Sequence, residues 1–388
     1  MTPPDGSPIQ ALVARHRVLV CVGSGGVGKT TTSAVLGLEA ARQGRRVLVM
    51  TVDPARRLAT SLGLARFDTE IQPIALEGVA GSLHATMLDM KLALDETVRR
   101  HAPDAATRDR ILANPYYERF STSLAGAQEF AAAERLLHEV QTGRWDLVVL
   151  DTPPTTHALD FLDAPRRFHE ALDTAALQWV VEAVRSSRSG PRALLQMGAS
   201  WVIGVLGRFT GMEFFEGLLR FLSDFSTLFE AFRERTRLTG ELFRAADTGF
   251  VIVTSAEPTN LEEALYFRGQ LAASRVNLGA MVANRVRQAQ PLEQADLPPA
   301  WVNALLQLPG SDLVGRPPIE AIVRRLHRNV SEWNLMVARD REVCDALARE
   351  VSPAPLLTVP LYAEDVHDLE RLQRMRADLC AARAHGDR

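Results

Sequence analysis

The residues Gly23-Ser24-Gly25-Gly26-Val27-Gly28-Lys29-Thr30 carry the densest chemistry in this chain. They fit the pattern GxxxxGK[ST], in which glycines let successive backbone N–H groups face one anion without Cβ interference. Lysine at the seventh position reaches β- and γ-phosphates, and the hydroxyl after it ligates Mg2+. Thr31 follows directly. An apolar run, Arg17 to Val22 (RVLVCV), precedes the loop, and an Ala- and Leu-rich segment with helical spacing, Thr31 to Arg42, comes after it. A strand before and a helix after form the setting such a loop needs, and a helix N-terminus adds partial positive charge. The alternative is a glycine-rich turn that binds nothing. Pattern and context together favour binding, and hydrolysis, of a nucleoside triphosphate.

Two carboxylates stand where that chemistry wants them. Asp151 ends the apolar run WDLVVL, and Asp53 follows the run RVLVMTV. Ligands of open α/β sheets bind at the C-terminal ends of strands. Asp151 suits Mg2+ positioning through water, and Asp53 suits orienting or deprotonating an attacking water. Each could instead be a helix N-cap. The basic residues are nearly all arginine, with lysine only at Lys29 and Lys91. A lysine that persists amid such drift is one that arginine does not replace, although Lys91 shows no special role in the sequence.

Buried-strand patterns recur at Arg46–Val52, Trp145–Leu150, Phe250–Thr254, Val276–Ala283 and Pro355–Val359, with helical segments such as Leu261–Ala273 between them. Strand alternating with helix predicts an α/β fold with a doubly wound, mostly parallel sheet of the P-loop type. The organisation expected is a first part of the core over 1–165, a helical insert over 166–246, and a second part of the core over 247–388. Ile319–Glu350 reads as a further helical block, and Arg285–Pro318 as mostly loop. At 388 residues and 46% hydrophobic, the chain can bury a large core unaided. A net charge of −3 argues against nucleic acid as a main partner. Cys21, Cys344 and Cys380 form no CxxC pair, so no structural zinc or disulfide framework is expected, and a reducing, cytoplasmic setting fits. The first residues, MTPPDGSPIQ, carry no secretory signal pattern.

Together these segments resemble one family, the ATPases of the arsenical pump and of tail-anchored protein targeting (ArsA-like, with a deviant phosphate loop), and among them bacterial anion-transporting ATPases. The family loop GKGGVGKT is here GSGGVGKT. Its first switch, DPAH, is here Asp53-Pro54-Ala55-Arg56, and its second, DTAPTGHTLR, is here DTPPTTHALDFL from Asp151. Asn284 matches the family's adenine-contacting asparagine. Val359-Pro360-Leu361 with Ala363–Val366 looks like its adenine-side loop, and Glu257 lies where the family has a glutamate near nucleotide and dimer interface. The resemblance spans Val18 to about Leu372. It implies ATP with Mg2+ as cofactors, a nucleotide-sandwich dimer, and Asp53 and Asp151 sensing the γ-phosphate. Two departures stand out. Ser24 replaces the lysine that crosses to the partner's nucleotide, so a homodimer would turn over slowly, or a paralogous partner with that lysine would complete the site. The CxxC that holds zinc between subunits in the eukaryotic members is absent.

Ala193–Phe232 is apolar and aromatic but too interrupted for a bilayer span of about 20 apolar residues. It reads either as helices packed on themselves or as a groove for a hydrophobic protein client or membrane partner, for which Met and Phe are suited. His138 and His157 are more plausible as structural than catalytic. Cys21 should be inert core. Cys344 and Cys380 offer no clustered set for an arsenite-like anion. In the tail, Leu369, Leu372, Met375 and Leu379 form a stripe expected to dock on the core. The functions left open are a dimeric switch ATPase acting on a protein client, the catalytic subunit of an anion pump, a positioning or partition ATPase, and a nucleotide-gated binding module with little turnover.

Overall fold

The computed structural model describes residues 7–52, 57–64, 69–123, 127–152, 212–289 and 319–381. Expectations for Asp53, His157 and the 193–211 stretch lie outside the described residues. Eight strands form one sheet: β1 (Val18–Val22), β2 (Arg46–Thr51), β3 (Gln72–Ile74), β4 (Ser82–Met87), β5 (Leu147–Asp151), β6 (Thr248–Ser255), β7 (Leu278–Val286) and β8 (Leu356–Pro360). Their order is β3-β4-β2-β5-β1-β6-β7-β8, and every neighbouring pair is parallel except β3 with β4. The described helices are α1 (Pro8–Arg15), α2 (Lys29–Arg42), α3 (Arg57–Ser61), α4 (Met90–His101), α5 (Ala105–Leu112), α6 (Pro115–Ser123), α7 (Ala127–Gln141), α8 (Met212–Ser226), α9 (Phe229–Arg244), α10 (Pro258–Ala273), α11 (Ile319–Val351) and α12 (Leu369–Ala381). The fold is the expected α/β class.

The central strands are apolar throughout because both of their faces are covered. Along β1, Leu19 and Cys21 join one core, whereas Val18, Val20 and Val22 join the other. The same alternation divides Val47 and Val49 from Leu48 and Met50 on β2, and Val251 and Val253 from Phe250 and Ile252 on β6. Helices α1, α2, α3 and α12 cover the first face, and α7, α10 and the C-terminal half of α11 the second. In α12, Leu372, Met375 and Leu379 are buried against the first core, so the tail stripe docks on the protein. Arg376 of α12 also donates to the buried carboxylate of Glu39 on α2, 2.9 Å away. Among the described residues, no helix is long and apolar enough to cross a membrane.

The edge strands differ from expectation. β4 reads SLHATM, without a continuous apolar run, and β3 is three residues long with Pro73 at its centre. Proline is tolerated there because β3 is the antiparallel edge of the sheet, where one N–H is free of ladder duty. β7 continues to Val286, past the expected end at Ala283. Helix α2 begins at Lys29 rather than Thr31, so the loop lysine is itself the first helical residue.

A third core lies in a helical layer. Leu94, Val98, Tyr117, Phe130, Phe221, Phe225, Phe229 and Phe232 are buried together. The ring centroids of Phe130 and Phe232, and of Phe225 and Phe232, lie 5.5 Å apart. For residues 221–232, the aromatic side chains therefore pack into a core of their own. The layer draws on α4–α7, before β5, as well as on α8 and α9. Lys91 has a structural partner here: its ammonium lies 2.9 Å from Asp95, whose other oxygen accepts from the Tyr117 hydroxyl.

One buried ion pair ties α9 to α7. Arg235 Nε donates to Glu134 at 2.7 Å, and its Nη1 donates to Gln141 at 2.8 Å. Burial pushes the Glu134 carboxyl up, against the opposing pull of Arg235. Removing the guanidinium leaves a buried carboxylate with Arg100, 3.6 Å away, as its remaining cation. Arg235→Met should cost about 3 kcal/mol in urea unfolding, and adding Glu134→Leu should recover most of that loss. Additive losses in the double variant would show that the pair is not coupled.

Candidate functional site

The phosphate loop leaves the sheet at β1, between β5 and β6, where the strand connections diverge to either side. Two glycines make its path possible. Gly23 has φ 146°, and a Cβ there would sit 2.0 Å from the carbonyl oxygen of Val253 on β6. Gly28 has φ 98° and caps α2, and a Cβ there would sit 2.2 Å from Asn284 Nδ2 at the end of β7. That Nδ2 donates to the Val27 carbonyl at 2.8 Å. The loop is thus seated between the ends of β6 and β7. Gly25 and Gly26 are exposed at its crest, and Val27 is buried beneath.

Lys29 and Thr30 open the 14-residue helix α2. Lys29 is buried, and its Nζ donates to the carbonyls of Gly23 (2.8 Å) and Ser24 (2.7 Å). A phosphate oxygen could take over from either carbonyl as acceptor. The Thr30 hydroxyl donates to Asp151 Oδ2 at 2.7 Å, and the Thr51 hydroxyl donates to the same oxygen at 2.8 Å. Asp151 is in register with Thr51 on one side and Cys21 on the other, so the sheet itself sets these distances. Thr152 closes the group, its hydroxyl donating to the Cys21 carbonyl at 2.8 Å. Burial pushes the Cys21 thiol up to about 12, so it stays protonated and inert.

A cavity of about 570 Å³ opens beside the loop. It is lined by Gly26, Gly28, Lys29, Thr30 and Thr31 from the loop and the start of α2, and by Asn284, Pro360 and Leu361 from the β7 and β8 side. Sequence reasoning had placed all of these at a nucleotide. Thr60, Ser61, Thr152, Arg285, Tyr362, His367 and Met375 also line it and were not anticipated as site residues. Two carried a signal: Thr152 follows Asp151 within the second-switch motif, and Arg285 follows Asn284. Thr51 was missed as well, although it is a hydroxyl at the end of a buried strand, two residues before Asp53. Gly23, Ser24, Gly25, Val27, Asp151 and Glu257, also expected at nucleotide or metal, stand outside this lining. The Ser24 hydroxyl donates to Glu263 on α10, and Glu257 is the exposed N-cap residue of the same helix.

The arrangement can do three things. Backbone N–H groups at a helix N-terminus and one ammonium can hold a polyphosphate. Hydroxyl and carboxylate oxygens at Thr30 and Asp151 fit a hard divalent cation such as Mg2+. Pro360, Leu361 and Met375, which line the same cavity as Asn284, offer an apolar wall that fits a flat heterocycle. All three cysteines lie on separate elements, Cys21 on β1, Cys344 on α11 and Cys380 on α12.

Comparison with known proteins gives a consistent result. A family model described as anion-transporting ATPase matches residues 16–303. The chain is 28% identical over 269 residues to a protein of Aspergillus terreus named ATPase get3, covering 68% of this chain and 71% of that one. It is 23% identical over 376 residues to a protein of Aquifex aeolicus named as an arsenical pump-driving ATPase, covering 92% of this chain and 77% of that one. Against a Paramecium tetraurelia protein named ATPase ASNA1 homolog 2 it is 31% identical over 157 residues, 39% of this chain and 45% of that one.

The seating of the loop is open to test. In Gly28→Ala the new methyl collides with Asn284 and meets an unfavourable φ, so ADP affinity measured by calorimetry should fall about tenfold or more. Unchanged affinity would mean that Asn284 and the loop are not held in this contact.

Proposed function

The chain belongs to the anion-transporting ATPase family and is an ATPase, and from that premise we propose a nucleotide-switched dimer that couples ATP binding and hydrolysis to a protein client or partner. The observation that carries this reading is one cavity lined by Lys29, Thr30, Asn284 and Leu361, with Asp151 bonded to Thr30. In it, Gly23 to Thr31 hold the phosphates. Lys29 exchanges its carbonyl partners for β- and γ-phosphate oxygens. Thr30 and Asp151 hold Mg2+, the latter through water, and the cation supplies charge neutralisation on the phosphates. Asn284, Pro360 and Leu361 take the base side. Asp53 orients or deprotonates the attacking water. Glu257 approaches nucleotide only across the dimer.

The partner is either a second copy or a paralogous ATPase. Ser24 bonded to Glu263, beside Glu257 and Glu262 on the same exposed helix end, leaves this edge of the loop acidic where the resembling family is cationic. Such an edge suits a partner that brings its own lysine. A hydrophobic client would engage the helical layer outside Phe221–Phe232, whose side chains are already used internally. The pump-subunit reading gains less support, because the separated cysteines give an arsenite-like anion no cluster of thiolates. A cytoplasmic location fits all of these roles.

Two experiments decide the main points. Asp53→Asn should slow turnover about a hundredfold or more while leaving ADP affinity nearly unchanged, and its ATP-loaded form should retain the partner on affinity isolation. Normal turnover would remove Asp53 from the catalytic role. Ser24→Lys should speed the homodimer's ATPase about tenfold or more. If it does not, while mixing with a lysine-bearing paralogue does, the heterodimer is the working form.

A further inference from the structure

We propose that Arg285 is the base-reading residue of the cavity, laying its guanidinium plane against the heterocycle beside Leu361. The proposal rests on the nucleotide reading above and names which side chain discriminates within it.

The placement starts from the strand. β7 and β8 lose register between Ala283 and Val286: Ala283 pairs with Thr358, but Val286 pairs with Pro360. Three steps along one strand match two along the other, which is a β-bulge. The bulge contains Asn284 and Arg285. Arg285 has φ 58°, one of two described non-glycine residues in the left-handed region. Arginine has no special ease there, so the surrounding contacts must hold it. They are visible: the Arg285 N–H donates to Asn284 Oδ1 at 2.9 Å, and the Leu361 N–H donates to the Val286 carbonyl at 2.9 Å.

These bonds divide the labour between neighbours. The Asn284 amide is engaged at both ends, Nδ2 on the Val27 carbonyl and Oδ1 on the Arg285 N–H. Its main task is to seat the phosphate loop, which leaves it only part of its donor and acceptor capacity for a base. Arg285 is exposed and lines the cavity. Among the described residues it forms no ion pair, whereas Arg287, two positions on, is bound to the buried Asp340 through both its backbone N–H and its guanidinium. Leu361 is 39% exposed, an apolar side chain that lines the same cavity. A planar, weakly hydrated cation beside an exposed aliphatic surface is a seat for a flat π-system, which stacks on guanidinium and packs on leucine.

The test uses the full chain and two ligands that share a phosphate tail but not a base, ADP and inorganic tripolyphosphate. Arg285→Asn keeps a residue tolerant of the left-handed backbone, so the bulge survives the change. It should weaken ADP binding about tenfold and leave tripolyphosphate binding unchanged within about twofold. Arg285→Lys, which keeps charge but loses the plane, should resemble the asparagine variant. Three outcomes would overturn the proposal: unchanged ADP affinity, equal losses for ADP and tripolyphosphate (a phosphate-contacting cation), or full rescue by lysine. If the unaltered chain binds tripolyphosphate but not ADP, the nucleotide reading fails along with it. Loss of ADP affinity in both Arg285→Asn and Arg285→Lys, with tripolyphosphate binding intact, leaves both standing.

Discussion

One carboxylate oxygen joins the parts of this site. Asp151 Oδ2 accepts hydroxyl donors from Thr30, on the first turn of α2, and from Thr51, at the end of β2. Three segments distant in sequence thereby share one atom. The sheet makes the arrangement cheap in entropy, since parallel register has already brought Cys21, Thr51 and Asp151 side by side before any side chain is oriented. A carboxylate with fixed acceptor geometry is also ready to hold a hydrated cation without reorganising. Around it, the loop needs only its glycines to fit between the β6 and β7 ends, and the helix that follows points its N-terminus at the same place.

Most of this was legible before any coordinates, for physical reasons. The central strands of a parallel sheet are covered on both faces, so they must be apolar along their whole length, and β1, β2, β5, β6, β7 and β8 all announced themselves that way. The loop was legible because few residue types can line a phosphate. Asp151 was legible because a charge at the end of such a run is costly unless used. The edge strands β3 and β4 were not, since an edge needs no continuous apolar run. Nor were Thr51, Thr60 and Ser61, whose roles depend on register and on helix docking rather than on type. Arg285 carried one faint mark, its place after Asn284; among 44 basic residues, nearly all of them arginine, its left-handed backbone shows only in the fold.

The helical layer follows a different logic. Its core is rich in aromatic rings where the sheet cores are mainly aliphatic, and its helices come from both sides of β5 in sequence. Edge-on and tilted ring contacts among Phe130, Phe225 and Phe232 give it directional packing, and the Arg235–Glu134 pair gives it a polar register. A composition-only view of the aromatic stretch could not separate a self-packed core from a docking surface, because both require the same residues. The difference lies in what each ring touches.

The C-terminal helix α12 is fastened to α2 by a buried apolar stripe and by Arg376 on Glu39. Helix α2 contributes Lys29 and Thr30 to the cavity wall, and α12 contributes Met375. The cavity therefore cannot widen between these two helices without exposing their shared apolar stripe to water, much as a caliper cannot open until its screw is released.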